Sequence, residues 1–310
     1  MRTIIRQRRF VSMICFCILL LPASGTAQTQ TVGLFLNDSR AQEGYTLFAP
    51  MGYSDTYLIN NEGRLIQEWT SNARPGLSAY LTGEGHLLRT ELIMTPIMNG
   101  GGAGGRIREW DWDGTLLWTW EYAGSTYRQH HDIEPMPNGN VLVVAWESKT
   151  REEALSVGRK AELLGSSGVW PDHILEIRPT PPSGGVVVWE WHAWDHLVQD
   201  EDATKPNYGV VADHPERINI NYPANPKAAR NADWMHTNAI DYNPALDQIL
   251  LSPREFNEVW VIDHSTTTEE AAGSTGGTSG KGGDILYRWG NPAAYNTGSA
   301  QDRMLFFQHD

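Results

Sequence analysis

Gln129-His130-His131-Asp132-Ile133-Glu134-Pro135-Met136-Pro137-Asn138-Gly139-Asn140, running into the apolar stretch Val141 to Trp146, decides the fold. It places an Asn/Gly turn between two short strands, and it recurs. His236-Thr237-Asn238 leads through Ile240 to Asn243-Pro244 and then Ile249-Leu250-Leu251; a weaker copy runs from Ala79 through Gly83-Glu84-Gly85 to Leu87-Leu88-Arg89. Each unit closes on a tryptophan-bearing segment: Leu65 to Trp69, Ile107 to Trp110, Val187 to Trp191 and Ile285 to Trp289. Repeats without helices, with Gly/Asn turns between short apolar strands and Trp at fixed offsets, predict an all-β fold of the β-propeller type. Gln308-His309-Asp310 starts the pattern again as the chain ends. The expectation is therefore a C-terminally truncated propeller, with about four blades in residues 28–310.

Residues 1–27 read differently. Arg2, Arg6, Arg8 and Arg9 precede the apolar stretch Phe10 to Leu21, and small residues follow up to Ala27. That order predicts a secretory signal peptide, with an apolar core too short to span a bilayer comfortably, and hence a periplasmic or secreted protein with no membrane association after cleavage. Arg8-Arg9 only weakly suggests twin-arginine export. Both cysteines, Cys15 and Cys17, fall inside this segment, so the mature chain is expected to rely on its core without a disulfide. Removing four arginines and no acid takes the formal net charge from −13 to −17. So acidic a chain, with only five lysines, is not expected to bind nucleic acid or anionic lipid through a general basic surface. Any bound anion must be held by a local cluster, and arginine is the cation available for it.

Trp110, Trp112, Trp118, Trp120, Trp189 and Trp191 alternate with other residues at period two, which predicts strand faces packed between neighbouring sheets rather than a carbohydrate platform. Asp113-Gly114 predicts a two-residue hairpin. Thr150 to Leu164 is the one helical excursion expected, with a further short turn at His192 to Gln199; Ser265 to Gly283 reads as a long surface loop. Three motif matches lack their context. Gly100 to Gly105 holds a dinucleotide-type glycine pattern but opens no helix, and Gly276 to Gly283 lacks phosphate-loop spacing. His192 and His196 could share a zinc ion on one helical face but lack a metalloprotease glutamate.

What survives lies at the blade starts. Inner strands of a propeller converge on a central channel, so residues at like positions of successive repeats meet in space. Those positions carry His131 (or its neighbour His130), His236 with Asn238, and His309; Arg254, ending the strand after His236, could lean over the same channel. Three imidazoles gain little from a core, so a set of satisfied core histidines and a His-lined metal site stand as the alternatives to a catalytic cluster. As the penultimate residue, His309 is expected to be loosely held.

These residues carry a resemblance. Gln129-His130-His131-Asp132 with Pro137-Asn138-Gly139-Asn140, Trp234-Met235-His236-Thr237-Asn238, Ser252-Pro253-Arg254 and Gln308-His309-Asp310 are similar to the bacterial arylsulfate sulfotransferase family, over most of residues 44–310. The resemblance implies an exported six-bladed propeller that moves a sulfuryl group from an aryl sulfate ester to a phenolic acceptor, without a nucleotide or other cofactor and with no metal. It implies His309 as nucleophile. By the chemistry of the residue types, His131 or a neighbour would then serve as acid and base for the phenols, while His236, Asn238 and Arg254 hold the sulfuryl oxygens. His130 is the fallback for His131 and a substrate-binding candidate, since adjacent strand residues face opposite ways and only one can face the channel. The N-terminal β domain of well-known members has no room before Gly44, and the cysteine pair is missing. A non-catalytic propeller binding a glycan or protein, or a quinoprotein-like enzyme, are the readings from other classes. Oligomeric state is not legible.

Overall fold

The computed structural model describes residues 33–223 and 232–309; the predicted signal peptide, and Cys15 and Cys17 with it, lie outside them. The fold is all-β and propeller-like, a succession of antiparallel sheets taken in chain order. The first holds β1 (Tyr45–Phe48), β2 (Thr56–Asn60) and β3 (Leu65–Trp69). The second holds β4 (Pro75–Leu81), β5 (Leu87–Leu92), β6 (Gly105–Trp110) and β7 (Leu116–Glu121). The third holds β8 (Tyr127–Pro135), β9 (Val141–Glu147), β10 (Asp172–Pro179) and β11 (Gly185–His192). After a short parallel pair, β12 (Leu197–Val198) with β13 (Ile218–Asn219), the fourth holds β14 (Thr237–Asn243), β15 (Gln248–Pro253), β16 (Val259–Asp263) and β17 (Tyr287–Trp289). In every sheet, spatial order follows chain order, and the leading strands β1, β4, β8 and β14 touch one another in succession. That contact brings the repeat starts together.

Hydrophobic clusters lie between successive sheets. Leu58, Trp69, Leu87 and Trp110 join the first to the second; Ile107, Trp118, Ile133, Val143 and Leu175 join the second to the third. The largest cluster joins the third to the fourth through Trp189, Trp191, Trp260 and Ile262. The tryptophans also stitch the sheets. From the last strand of one sheet, each indole N–H donates into the connection between the third and fourth strands of the next: Trp69 to the Asp111 carbonyl (2.8 Å), Trp118 to Gly184 (2.7 Å) and Trp191 to Gly283 (2.7 Å). A buried indole needs a partner for its one polar atom, so a Trp at this offset fixes the spacing of two sheets while filling the gap between them. Trp118 is fully buried. Trp118→Ala should cost about 3–5 kcal/mol of stability, the range for emptying a core of a large aromatic, read from the shift of the denaturation midpoint.

Some local expectations need correcting. Trp112 is 42% exposed, because Trp112-Asp113-Gly114 forms a three-residue turn closed by the Asp111 N–H to Thr115 carbonyl bond, with Gly114 at φ +84°. The two-residue hairpin would have kept Trp112 on the strand. The helical excursion is shorter than its sequence: a capping box between Thr150 and Glu153 starts a helix at Arg151–Ser156, and Gly158 at φ +93° turns the chain away. His192 and His196 do not share a site, since His192 faces Glu147 (3.2 Å) and His196 faces Asp284 (2.9 Å) and the Ala271 carbonyl (2.8 Å). The Ser265 to Gly283 loop carries a one-turn helix, Thr268–Ala271, and is tied down by Asp263, which accepts from Ser265 and Ser279.

An ion-paired bridge also spans the third and fourth sheets. His264 faces Glu176 through Nε2 (3.0 Å) and Asp247 through Nδ1 (2.7 Å), and it is 11% exposed. Burial opposes its charge, but hydrogen bonds to Glu176 and Asp247 outweigh that and raise its pKa above 6.5. Burial likewise opposes ionised Glu176, yet His264, Asn140 and Asn138 bring it down to about 2. The raised imidazole stabilises fully below its ordinary pKa and loses that contribution as pH climbs through the folded value. The lowered carboxylate stabilises above its ordinary pKa and loses its contribution as pH falls toward about 2. Melting temperature should therefore peak in mildly acidic solution and decline on both sides, and His264→Gln should flatten the alkaline decline.

Candidate active site

The site is built where the leading strands meet. His131 and His236 both have left-handed backbones, at φ +47° and +53°. In β8 the register with β9 shifts between Gln129 and Ile133, a bulge centred on His130-His131-Asp132; β14 shifts likewise between Thr237 and Ile240. A bulge re-aims side chains that alternation would send to opposite faces. Of the two neighbours only His131 reaches the channel, with His130 turned into the protein behind it. The two rings are in contact, with Nδ1 atoms 2.9 Å apart. By register, the counterpart of His131 in the fourth sheet is Asn238, since each lies two residues before the position (Ile133, Ile240) at which regular pairing resumes.

His131, His236 and His309 converge. Ring centroids are 4.4 Å apart for His131 and His236, 5.5 Å for His131 and His309, and 5.8 Å for His236 and His309. His131 is buried, His236 partly so, and His309 exposed. His309 is held better than its position in the chain suggests. The Gln308 carbonyl accepts from Asn238 Nδ2 at 2.7 Å, and Gln308 Nε2 donates to the Glu258 carbonyl at 2.7 Å. One amide hydrogen of Asn238 thus secures the segment bearing His309.

His131 and His309 line a cavity of about 550 Å³, and His236, in ring contact with both, stands outside its lining. One side of it carries His131, Asp132, Asn238 and His309; the opposite wall, from β1, β4 and the chain between β1 and β2, is largely apolar with Leu47, Phe48, Met51 and Leu77. Asp132 is the cross-brace, accepting from Tyr80 Oη (2.6 Å) on the preceding sheet and from the Ile240 N–H (3.1 Å) on the next. His130 does not line this cavity. It is completely buried behind His131 and stacked on Trp146 at 4.1 Å, so it cannot be the substrate ligand expected of it.

Two carboxylates that the sequence reading missed set the rings. His236 Nδ1 lies 2.5 Å from Asp233 Oδ2, and the other oxygen of Asp233 accepts from Trp146 Nε1 at 2.9 Å. His130 Nε2 lies 3.2 Å from Asp172 Oδ1, and Asp172 Oδ2 accepts from the Thr237 N–H at 2.8 Å. A carboxylate accepts only, so His130 donates from Nε2 and accepts at Nδ1, and His131 donates from Nδ1. Both His131 and His236 are thereby left with Nε2 for a ligand. Asp233 stands three residues before His236 and was open to discovery by that spacing; Asp172, 42 residues beyond His130, was not.

The environments separate the two rings. Burial, together with His130, His236, His309 and Arg254, holds His131 far below the ordinary imidazole value. Burial pulls His236 the same way, but Asp233, then Asp172, outweigh it and raise the ring above 6.5. Arg254 is near enough to repel charge on both histidines, yet its guanidinium is paired with Glu255 and sits 5.0 Å over the Phe307 ring rather than against the cavity.

The glycine run explains itself here. A Cβ on Gly102, at φ +82°, would lie 2.0 Å from the His131 ring, one on Gly104 2.1 Å from Gln129 Oε1, and one on Gly100 3.0 Å from Trp146. The Gly102 carbonyl also accepts from the His131 N–H at 2.7 Å. The segment is flat because the histidine and its supports lie directly on it. Gly102→Ala should therefore lower turnover by about 100-fold, the scale of a misplacement near 1 Å, with the far-ultraviolet spectrum unchanged.

Sheets of this type, with a histidine trio at their common centre beside an apolar wall, define a propeller-like protein with a small-molecule cleft. The family model for arylsulfotransferase (ASST) matches residues 54–272, and the chain belongs to that family. No curated protein matches it at significant similarity. Among solved structures it is similar to a protein of unknown function from Bacteroides caccae, at 15% identity over 72% of this chain and 55% of that one, with a TM-score of 0.38. It is also similar to hydrazine synthase from Kuenenia stuttgartiensis, at 12% identity over 79% of this chain and 58% of that one, with a TM-score of 0.41. The chain thus spans little more than half the length of either. Among the described residues, no helix is long and apolar enough to cross a membrane.

Proposed function

We propose that this protein transfers a sulfuryl group from an aryl sulfate ester to a phenol, through a sulfohistidine at His309. The observation that carries the reading is the meeting of His131, His236 and His309, from three segments far apart in sequence, with His131 and His309 at the polar end of a cavity whose opposite wall is apolar. An aryl sulfate has that division, a charged head and an apolar ring. Family membership supports the same chemistry.

In the first half-reaction a His309 ring nitrogen attacks sulfur in line. The N–S bond forms, the S–O bond to the aryl oxygen breaks, and the departing phenolate takes a proton. His236, in ring contact with His131 and His309, has the charge state to give that proton, which His131 lacks. Asp233 orients His236 and favours its charged form, whereas buried His131 is kept neutral and so acts as a hydrogen-bond partner. In the second half-reaction neutral His236 takes the acceptor phenol's proton as its oxygen attacks sulfur, the N–S bond breaks, and His309 is restored. Arg254 neutralises the sulfate charge once its guanidinium swings from Glu255, two of its donors matching two sulfate oxygens.

Two wider readings belong to this proposal. The sheets form part of a six-bladed ring, supported by exposed apolar flanks at Tyr45 and Leu65 on the first sheet and Tyr287 and Trp289 on the last. The protein acts after export, in the periplasm or outside the cell, supported by the signal-like order of residues 1–27. The test is to supply 4-nitrophenyl sulfate with and without phenol. Nitrophenol release that requires phenol is expected; none would indicate a binding module, and release into water alone a sulfatase.

A further inference from the structure

We propose that His131, His236 and His309 also bind one divalent transition-metal ion of the Zn²⁺ class, and that the ion occupies the place of the sulfuryl head. One ring nitrogen from each residue lies within 4.8 Å of the other two, and no other trio of histidine, cysteine, aspartate or glutamate among the described residues has that geometry. Zinc–imidazole bonds of about 2.0–2.1 Å in a tetrahedron put neighbouring nitrogens roughly 3.4 Å apart. The trio must therefore close by about an ångström or a little more. His309 is exposed and can supply that movement.

The supporting groups are those a metal site needs. A ligating histidine is commonly fixed by a carboxylate on its other nitrogen, which sets the tautomer and strengthens the donor. Asp233 does this for His236 directly, and Asp172 does it for His131 through His130. Three imidazoles leave a fourth tetrahedral position for water or an anion, beside the cavity that His131 and His309 line. Glycine at 102 lets His131 lie flat against the backbone, so the ring nearest the protein interior is already in place.

Binding is independent of the sulfuryl-transfer reading, whereas competition with an aryl sulfate rests on it. Co²⁺ should be titrated into the protein in the absence of any ester, following its visible ligand-field band, with Zn²⁺ back-titration and calorimetry giving stoichiometry. One ion per chain and a tetrahedral band are expected. His236→Ala and His309→Ala should each abolish the band, and Asp233→Asn should weaken binding by about 10- to 100-fold. His309 is exposed, so its loss cannot be ascribed to misfolding. A variant lacking the surface imidazoles His86 and His214 should bind as before. No stoichiometric uptake, or uptake that survives both His236→Ala and His309→Ala, would overturn the site and leave the transferase proposal untouched. If binding holds and nitrophenyl sulfate does not displace Co²⁺, only the overlap of the two sites fails.

Discussion

His309→Ala should abolish sulfuryl transfer, with turnover falling on the order of 10⁴- to 10⁶-fold, the scale on which enzymes lose rate when a covalent nucleophile is removed. Affinity for 4-nitrophenyl sulfate should change little, because the apolar wall of Leu47, Phe48, Met51 and Leu77 that would receive the ring is intact in the variant. Wild-type protein given donor without acceptor should release one equivalent of nitrophenol in a burst. It should retain an acid-labile sulfuryl group at position 309, recoverable as aryl sulfate when phenol is added. Steady-state kinetics should be ping-pong. Sequential kinetics, or a His309 variant with normal turnover, would remove the covalent route and leave at most a direct transfer between phenols. Asn238→Ala should fall between these extremes. The amide secures the Gln308 carbonyl, so its loss frees the nucleophile's segment without deleting the nucleophile.

Asp233→Asn should be the most damaging change at a residue that never touches substrate, lowering turnover by about 10²- to 10⁴-fold, the usual worth of positioned acid–base catalysis. The amide keeps the size of the carboxylate but can offer His236 Nδ1 an N–H in place of an acceptor, fixing the proton of a neutral ring on Nε2, which is a far weaker acid than imidazolium and no base for the acceptor phenol. It also removes the charge that raises His236 above 6.5 against the pull of burial. Turnover that depends on imidazolium declines as pH rises through that raised value. In the variant this alkaline limb should move to lower pH. A residue that only braced the fold would lower the rate without moving the limb. Because Asp233 also accepts from Trp146 Nε1, unfolding should be followed in parallel to separate the two effects.

The architecture was legible because its causes are local. Alternation at period two, Asn/Gly turns and β-branched runs each act within a few residues, and they are enough to mark β8, β9, β14 and β15. Trp69, Trp118 and Trp191 recur at one offset because each fills the same gap and donates to the same connection of the next sheet. The sequence likewise marked His131, His236 and His309, since an imidazole at the head of each repeat is a poor choice for packing. The family followed from the same residues.

What tertiary structure alone decided is how those side chains are aimed and charged. His131 faces the cavity with His130 in contact behind it where β8 bulges, and a bulge is set by the partner strand rather than by the residues it displaces. Asp172 reaches His130 from 42 residues away, and Asp132 joins Tyr80 to Ile240 across a span of 160, separations at which no sequence window carries a signal. The opposite shifts of His131 and His236 arise from burial and from which carboxylate lies nearest, and both are properties of the assembled sheets. The glycine run around Gly102 lacks the context of a nucleotide loop, and only the ring of His131 lying where its side chain would be shows why glycine is there. Local rules build each hairpin, and the packing of one sheet on the next decides which atoms of those hairpins face each other.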